Sequence, residues 1–198
     1  PAIEEVKYAF NQIMGKKYVL ADEAPTFTQP ENDGPKGLLA DALNINNVEV
    51  LVPKDPSFSI LVPKLGANAN IVANVDSSNA DQYLPALEAG VAHAAGTKFP
   101  GERGLIYLFA HSTNTFNNVS RYNAIFYLLY KLETGDEVNL YYQGVRHKYI
   151  VTGKAIVDPS EVEYITRKTD TEFLTLQTCW PPGTIAQRML IFAEPSIK

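Results

Sequence analysis

Three side chains of this 198-residue sequence have the chemistry of a nucleophile, a proton carrier and an anion holder, and each stands at the end of a strand-like run. Cys179 closes the run TLQTC at 175–179 and is followed by Trp180, Pro181, Pro182 and Gly183, so its thiol is presented where an extended segment gives way to a turn. A thiol attacks as the thiolate, which needs such an accessible setting. Taken alone, a single cysteine on an apolar run is equally the pattern of a small buried hydrophobe. His111 closes the apolar run LIYLFA and opens the polar stretch STNTFNN. An imidazole there can give and take a proton near neutral pH, or be no more than a satisfied surface histidine. Arg188 comes nine residues after Cys179 and begins the apolar run MLIFA. If the two runs form a hairpin, the guanidinium returns to the thiol's end of the sheet, where a forked and permanently charged donor suits an oxyanion. His93, among small residues, reads as structural, and His147, between Arg146 and Lys148, as solvated.

The elements that must position these groups are short and β-rich. VEVLV at 48–52, FSILV at 58–62, NIVANV at 70–75, GLIYLFA at 104–110, EVNLYY at 137–142, KYIVTGKAIV at 148–157, EFLTLQT at 172–178 and RMLIFA at 188–193 are separated by Gly, Pro, Asn and Asp. Such spacing predicts an all-β barrel or sandwich rather than alternating βαβ units. Helical spacing predicts two inserts on the outside of this β structure, Asp81 to Ala89 and Asn123 to Leu132. A third helix is expected over residues 3–14, where Ile3, Val6, Phe10 and Ile13 recur at steps of three and four. Pro25, Pro30, Pro35, Gly34 and Gly37 mark Asp22 to Gly37 as an extended linker. The chain therefore divides into an N-terminal helix and linker, 1–47, and a β-barrel or sandwich domain, 48–198, which would carry the three candidate groups.

Composition narrows the function classes. A net charge of −5 leaves no excess of cations to neutralise a phosphate backbone, so nucleic acid is not the expected partner. One cysteine excludes an internal disulfide and every multi-cysteine metal site. No apolar run reaches the roughly 18 residues of a membrane span, so membrane contact is expected only through an anchor outside this chain. The sequence begins at Pro1, in keeping with a processed or omitted N-terminal segment. No glycine-rich phosphate loop, HExxH or GxSxG occurs.

Together, the motifs resemble the sortase family of cysteine transpeptidases. TLQTC at 175–179 is similar to that family's TLxTC signature, Arg188 to its arginine, and AHS at 110–112 to its strand-end histidine motif. ILVPKLGANANIV at 60–72, LEAGVAHAAGTKFPGERGLIYLFAHS at 87–112, GDEVNLYY at 135–142 and HKYIVTGKAIVDPSEVEYI at 147–165 resemble its remaining strands, so the likeness covers about 58–193. Two positions depart from the pattern: Ala110 where glycine is common, and Gln177 where an apolar residue is frequent. The stretch from Asp158 to Asp170 has no room for the long helical insertion of class B, which points to a class A, D, E or F-like member.

The resemblance implies a closed barrel of about eight strands and a two-step acyl transfer. Cys179 attacks a carbonyl of an LPxTG-like sorting peptide to form a thioester, His111 protonates the leaving amine, and Arg188 steadies the oxyanion. An amine such as a peptidoglycan precursor or a pilin lysine then resolves the thioester at the extracytoplasmic face of a bacterial membrane. Thr178 is a candidate for a supporting hydrogen bond to substrate or oxyanion, with an ordinary β-branched strand residue as the alternative. Alternation puts Gln177 on the face of Cys179 and Phe109 on that of His111, so both are expected to line the groove, walled by Asp158 to Asp170. No cofactor is expected. A calcium site of the kind in some class A members would have to draw on Asp76, Asp81, Glu88, Asp158, Glu161, Glu163 and Asp170, which read more simply as solvated acids without ligand spacing. A hydrolase of the same peptides and a non-catalytic surface barrel are the alternatives.

Overall fold

The structure, a computed structural model, describes residues 2–20, 48–112 and 126–196. Its centre is a barrel of eight strands: β3 (Phe58–Val62), β4 (Ala67–Val75), β5 (Val91–Ala94), β6 (Leu105–Phe109), β7 (Glu137–Tyr142), β8 (Val145–Val157), β9 (Phe173–Trp180) and β10 (Gln187–Pro195). Around the barrel the order is β10-β8-β7-β3-β4-β5-β6-β9, and β9 pairs with β10 to close it. Closure satisfies the strand edges that an open sheet would leave unpaired. The pairs β4/β5 and β6/β9 are parallel and the other six antiparallel.

Alternation along each strand separates an inner from an outer row. Ile60 lies opposite Ala69 and Leu140, Leu108 opposite Leu176, and Leu176 opposite Ile191. All six are essentially inaccessible and form the barrel's interior. The intervening residues of β6, β9 and β10 face outward yet are buried as well, among them Leu105, Tyr107, Phe109, Phe173 and Leu190. These strands therefore read as continuous apolar runs in the sequence. Part of their cover comes from α3 (Glu163–Thr166) and its flanks, where Tyr164 stacks on Phe192 at 6.0 Å and Arg167 sits 4.4 Å over the Phe173 ring.

The run at 48–52 is not a barrel strand. Residues Val48–Leu51 form β2, which pairs in parallel with β1 (Lys17–Leu20) on the barrel's outside. There Leu20 and Leu51 bury against Leu61 in a second small core with Tyr18 and Tyr141. Segments 1–47 and 48–198 thus share this sheet. The eighth barrel strand is instead β5, VAHA, four buried residues with no polar outward position. It follows α2 (Ala80–Ala89) in a parallel β4–α2–β5 crossover, a unit that the strand spacing argues against. Asn79 caps α2 by accepting from the Asp81 amide, and Gly90 ends it against β4, where a Cβ would lie 2.3 Å from the Asn70 carbonyl oxygen.

The other helical expectations divide. An N-terminal helix is present as α1 (Ala2–Ile13), with Val6, Phe10 and Ile13 exposed. Of the stretch expected to be helical from Asn123 to Leu132, residues 123–125 lie outside the described residues; 126–128 form a turn and Leu129–Lys131 a single 3-10 turn. Its Leu128 and Leu129 are buried, as are Phe126 and Leu132, so burial rather than helical amphipathicity accounts for the apolar spacing. The Asp22 to Gly37 linker also lies outside the described residues. Among the described residues no helix is long and apolar enough to cross a membrane.

Candidate active site

The register of three adjacent strands brings the candidate residues into one row. Arg188 on β10 stands directly opposite Cys179 on β9. Residues so opposed in an antiparallel pair have Cβ atoms about 4.5–5.5 Å apart and share a face. On the other side of β9, the parallel pairing with β6 runs from Leu105 opposite Phe173 to Phe109 opposite Gln177. It continues through Ala110, whose amide donates to the Gln177 carbonyl at 3.1 Å and whose carbonyl accepts from the Thr178 hydroxyl at 3.0 Å. One residue further along this register His111 comes level with Cys179. Both belong to the outer row, two residues beyond Phe109 and Gln177 respectively.

Accessibility follows from this placement at the strand ends. Cys179 and Arg188 are half-buried and His111 is exposed. Nη1 of Arg188 donates to the carbonyls of Ile185 and Gln187, each at 3.1 Å, which ties the guanidinium to the β9–β10 turn. Of its five N–H donors, the three on Nε and Nη2 have no protein partner among the described residues. Desolvation by the surrounding protein holds the His111 imidazole below its ordinary value, and the Glu88 carboxylate at the end of α2 pulls it the other way. Because His111 is exposed, solvent screens the second influence. Asp158, next to Val157 opposite Arg188, lies within the guanidinium's field, but its carboxylate is held below the usual range chiefly by Ser160.

Phe109 and Gln177 stand opposite each other on the outer row, Phe109 buried and Gln177 half-buried. The stretch Asp158 to Asp170 begins beside Arg188 and lays Tyr164 over Phe192, so it borders the same outer face. Thr178 differs from the expectation that it serves substrate or oxyanion. It is 3% exposed and on the inner row, and its hydroxyl is taken by the Ala110 carbonyl. Strand alternation alone puts it on the face opposite Cys179. Sequence reasoning missed Tyr107, whose hydroxyl donates to Gln177 Oε1 at 2.6 Å. The signal was available, since Tyr107 is four residues before His111 and so on the same strand face. His93 is fully buried and structural: Nδ1 accepts from the Asn74 amide and Nε2 lies 3.0 Å from the Lys98 carbonyl. The acids considered for calcium do not converge. Among the described residues no three His, Cys, Asp or Glu side chains form a metal-sized group, and Asp76 and Asp158 each hold a serine two residues on.

Comparison with known proteins matches residues 60–196 to the sortase domain. Over 136 residues the chain is 28% identical to sortase D of Bacillus subtilis (strain 168), covering 67% of this chain and 60% of the relative. Among solved structures, sortase C1 of GBS pilus island 1 superposes with a TM-score of 0.59 at 23% identity, covering 71% of this chain and 64% of that one. A Clostridium perfringens sortase D5 transpeptidase gives 0.57 at 22% identity over 74% and 82%. Sortase C from Clostridium perfringens, solved with the C-terminal cell wall sorting motif, gives 0.58 at 25% identity over 71% and 70%. The chain thus spans less than two thirds of the length of the sortase D and sortase C1 it matches. These relatives are of classes C and D, so the likenesses do not single out the class A, D, E or F group expected from the short Asp158 to Asp170 stretch. A sortase-domain match over residues 60–196, on an eight-stranded closed barrel of the same architecture, means that this chain belongs to the sortase family.

Proposed function

We propose that the protein is a cysteine transpeptidase that cleaves an LPxTG-like sorting peptide through a thioester and passes the acyl group to an amine. The observation that carries this reading is the shared row of His111, Cys179 and Arg188 across β6, β9 and β10. Acyl transfer needs a nucleophile, a proton carrier and an oxyanion donor within reach of one carbonyl, and three neighbouring strand ends supply them without a loop having to fold over the site. The Cys179 thiolate adds to the carbonyl, and the negative charge that develops on oxygen meets the free Nε and Nη2 donors of Arg188. As the tetrahedral intermediate collapses, the imidazolium of His111 gives its proton to the departing amine and the thioester remains on Cys179. The incoming amine then attacks the thioester, His111 takes its proton, and the thiolate leaves.

Further parts of the reading follow from the same row. Thr178 acts by pinning Ala110, and through it the backbone that carries His111, to β9. Phe109 and Gln177 line the groove, and Asp158 to Asp170 walls it. The C. perfringens sortase C solved with a cell wall sorting motif supports a sorting signal as the acyl donor. The acceptor in this reading is an amine such as a peptidoglycan precursor or a pilin lysine. The site of action is then the extracytoplasmic face of a bacterial membrane. The acyl transfer proposed here calls on no metal, and the expected outcome is that neither EDTA nor added calcium changes the rate.

The test is incubation with a panel of LPxTG-like peptides, with and without a short amine, followed by mass identification of a Cys179 thioester and of ligated product. Thioester plus amine ligation is the expected outcome. Thioester with water as the only acceptor would make the protein a hydrolase, and no thioester with any peptide would leave a binding barrel.

A further inference from the structure

Gln177 lies two residues before Cys179 on the outer row of β9, with Phe109 of β6 on one side and Leu190 of β10 on the other. Its side-chain oxygen accepts the 2.6 Å hydrogen bond from Tyr107. Tyr107 stands opposite Thr175, so its ring runs along the outer face toward the Cys179 end, and it is 1% exposed. A buried tyrosine hydroxyl requires a partner, and a position that only needed filling would be served by phenylalanine. Burial holds the phenol well above its ordinary value while the nearby Arg188 guanidinium opposes the shift, so Tyr107 donates as a neutral hydroxyl.

The hydrogen bond fixes which end of the carboxamide faces outward. With Oε1 engaged by Tyr107, Nε2 presents its two donors. It has no protein partner among the described residues, yet it is not a buried orphan, a status that there falls to the Ser59 hydroxyl alone. A half-buried amide nitrogen that is neither paired nor sealed away is accessible on the outer face, which the transpeptidase reading assigns to the peptide groove. Its distance from Cys179 along the strand is two residues, about 6.8 Å at 3.4 Å per residue. An extended peptide running over the outer face along β9 has the same rise, so a carbonyl about two residues from the scissile bond comes level with Nε2 when the scissile carbonyl is at the thiol.

We propose that Tyr107 is a positioning residue that holds the Gln177 carboxamide with its NH₂ toward the groove, so that Gln177 donates to a backbone carbonyl of the acyl-donor peptide about two residues from the scissile bond. This rests on the transpeptidase reading. It makes Gln177 a donor rather than an acceptor site, and it explains why a polar residue at this position is tolerated beside an apolar strand: its oxygen is satisfied internally.

Steady-state kinetics of Tyr107→Phe, Gln177→Glu and the double variant test it, with thermal unfolding as the check on folding. Tyr107→Phe keeps the ring and removes only the hydroxyl, and it should raise KM for the peptide about threefold to tenfold, the worth of one hydrogen bond, with the change falling on KM rather than kcat. Gln177→Glu can still accept from Tyr107 but has no NH₂, and it should raise KM at least as much. Adding Tyr107→Phe to Gln177→Glu should then raise KM no further, a non-additivity that loss of packing would not produce. If wild-type protein forms no thioester with any peptide, the transpeptidase reading fails and this inference with it. If wild-type protein cleaves peptide but KM is unchanged in Tyr107→Phe, or rises by the same factor in the Gln177→Glu background, the inference alone is overturned. Should Tyr107→Phe not fold, Gln177→Glu decides by itself, and an unchanged KM refutes the donor role.

Discussion

Arg188 allows charge and geometry to be separated, because lysine keeps the first and loses the second. In the structure its guanidinium is divided: Nη1 is bound to the carbonyls of Ile185 and Gln187, while Nε and Nη2 have no protein partner among the described residues, on a residue directly opposite Cys179 in the strand pairing. Arg188→Ala removes the oxyanion donors together with two hydrogen bonds to a surface turn. The second loss should cost about 1 kcal/mol of stability, small against the ~5–15 kcal/mol that keeps a domain folded. The first should cost about 10²–10³-fold in turnover, as loss of an oxyanion donor does in other acyl-transfer enzymes. Arg188→Lys should be nearly as poor, since a hydrated ammonium on a flexible stem cannot bind the turn and a developing oxyanion at once. The assay is peptide cleavage and thioester formation on purified variants whose unfolding midpoints have been measured. A folded Arg188→Ala that keeps within about tenfold of wild-type turnover would refute the reasoning, making Arg188 a turn-stabilising surface residue.

The remaining expectations follow from the same row. Cleavage should depend on pH as a bell, since thiolate and imidazolium are needed together and the limbs belong to the coupled pair; a rate that climbs steadily to high pH would remove the essential acid. Glu88→Gln deletes the carboxylate that favours the charged His111, so the imidazole titrates lower, the acidic limb moves to lower pH, and turnover near neutral pH falls about twofold for a screened surface pair; movement to higher pH would contradict the assignment. Thr178→Val keeps the shape and removes the donor to a buried carbonyl, and should destabilise by about 1–3 kcal/mol while lowering kcat more than it raises KM; unchanged stability by denaturant titration would count against the pinning role. Gln177→Ile should alter the order of preference within a peptide panel, and an identical order at identical rates would mean that the residue does not line the groove.

Local pattern carried much of this protein. The apolar runs of β3, β6, β7, β9 and β10 are visible in the sequence, as is α2 with its Asn79 cap, because strand period and capping are properties of a few consecutive residues. Residue type made His111, Cys179 and Arg188 candidates. The hairpin argument that returned Arg188 to the thiol's end of the sheet needed only a nine-residue separation, and β9 and β10 pair in that way. What the sequence could not decide was which strands become neighbours. Local preference favours the valine-rich VEVLV at 48–52 over the alanine-containing VAHA at 91–94, the reverse of their roles in the barrel. The first pairs with residues 17–20 outside the barrel and the second closes the gap between β4 and β6, a choice made by the α2 crossover and by the space Gly90 leaves against Asn70. The partners of Thr178 and Tyr107 were hidden for the same reason, since alternation assigns a side chain to a face but its hydrogen-bond partner lies 68 or 70 residues away. Candidate chemistry could be read from residue type and spacing, whereas the row that brings the candidates level depends on the non-local register of β6, β9 and β10, fixed only when the barrel closes.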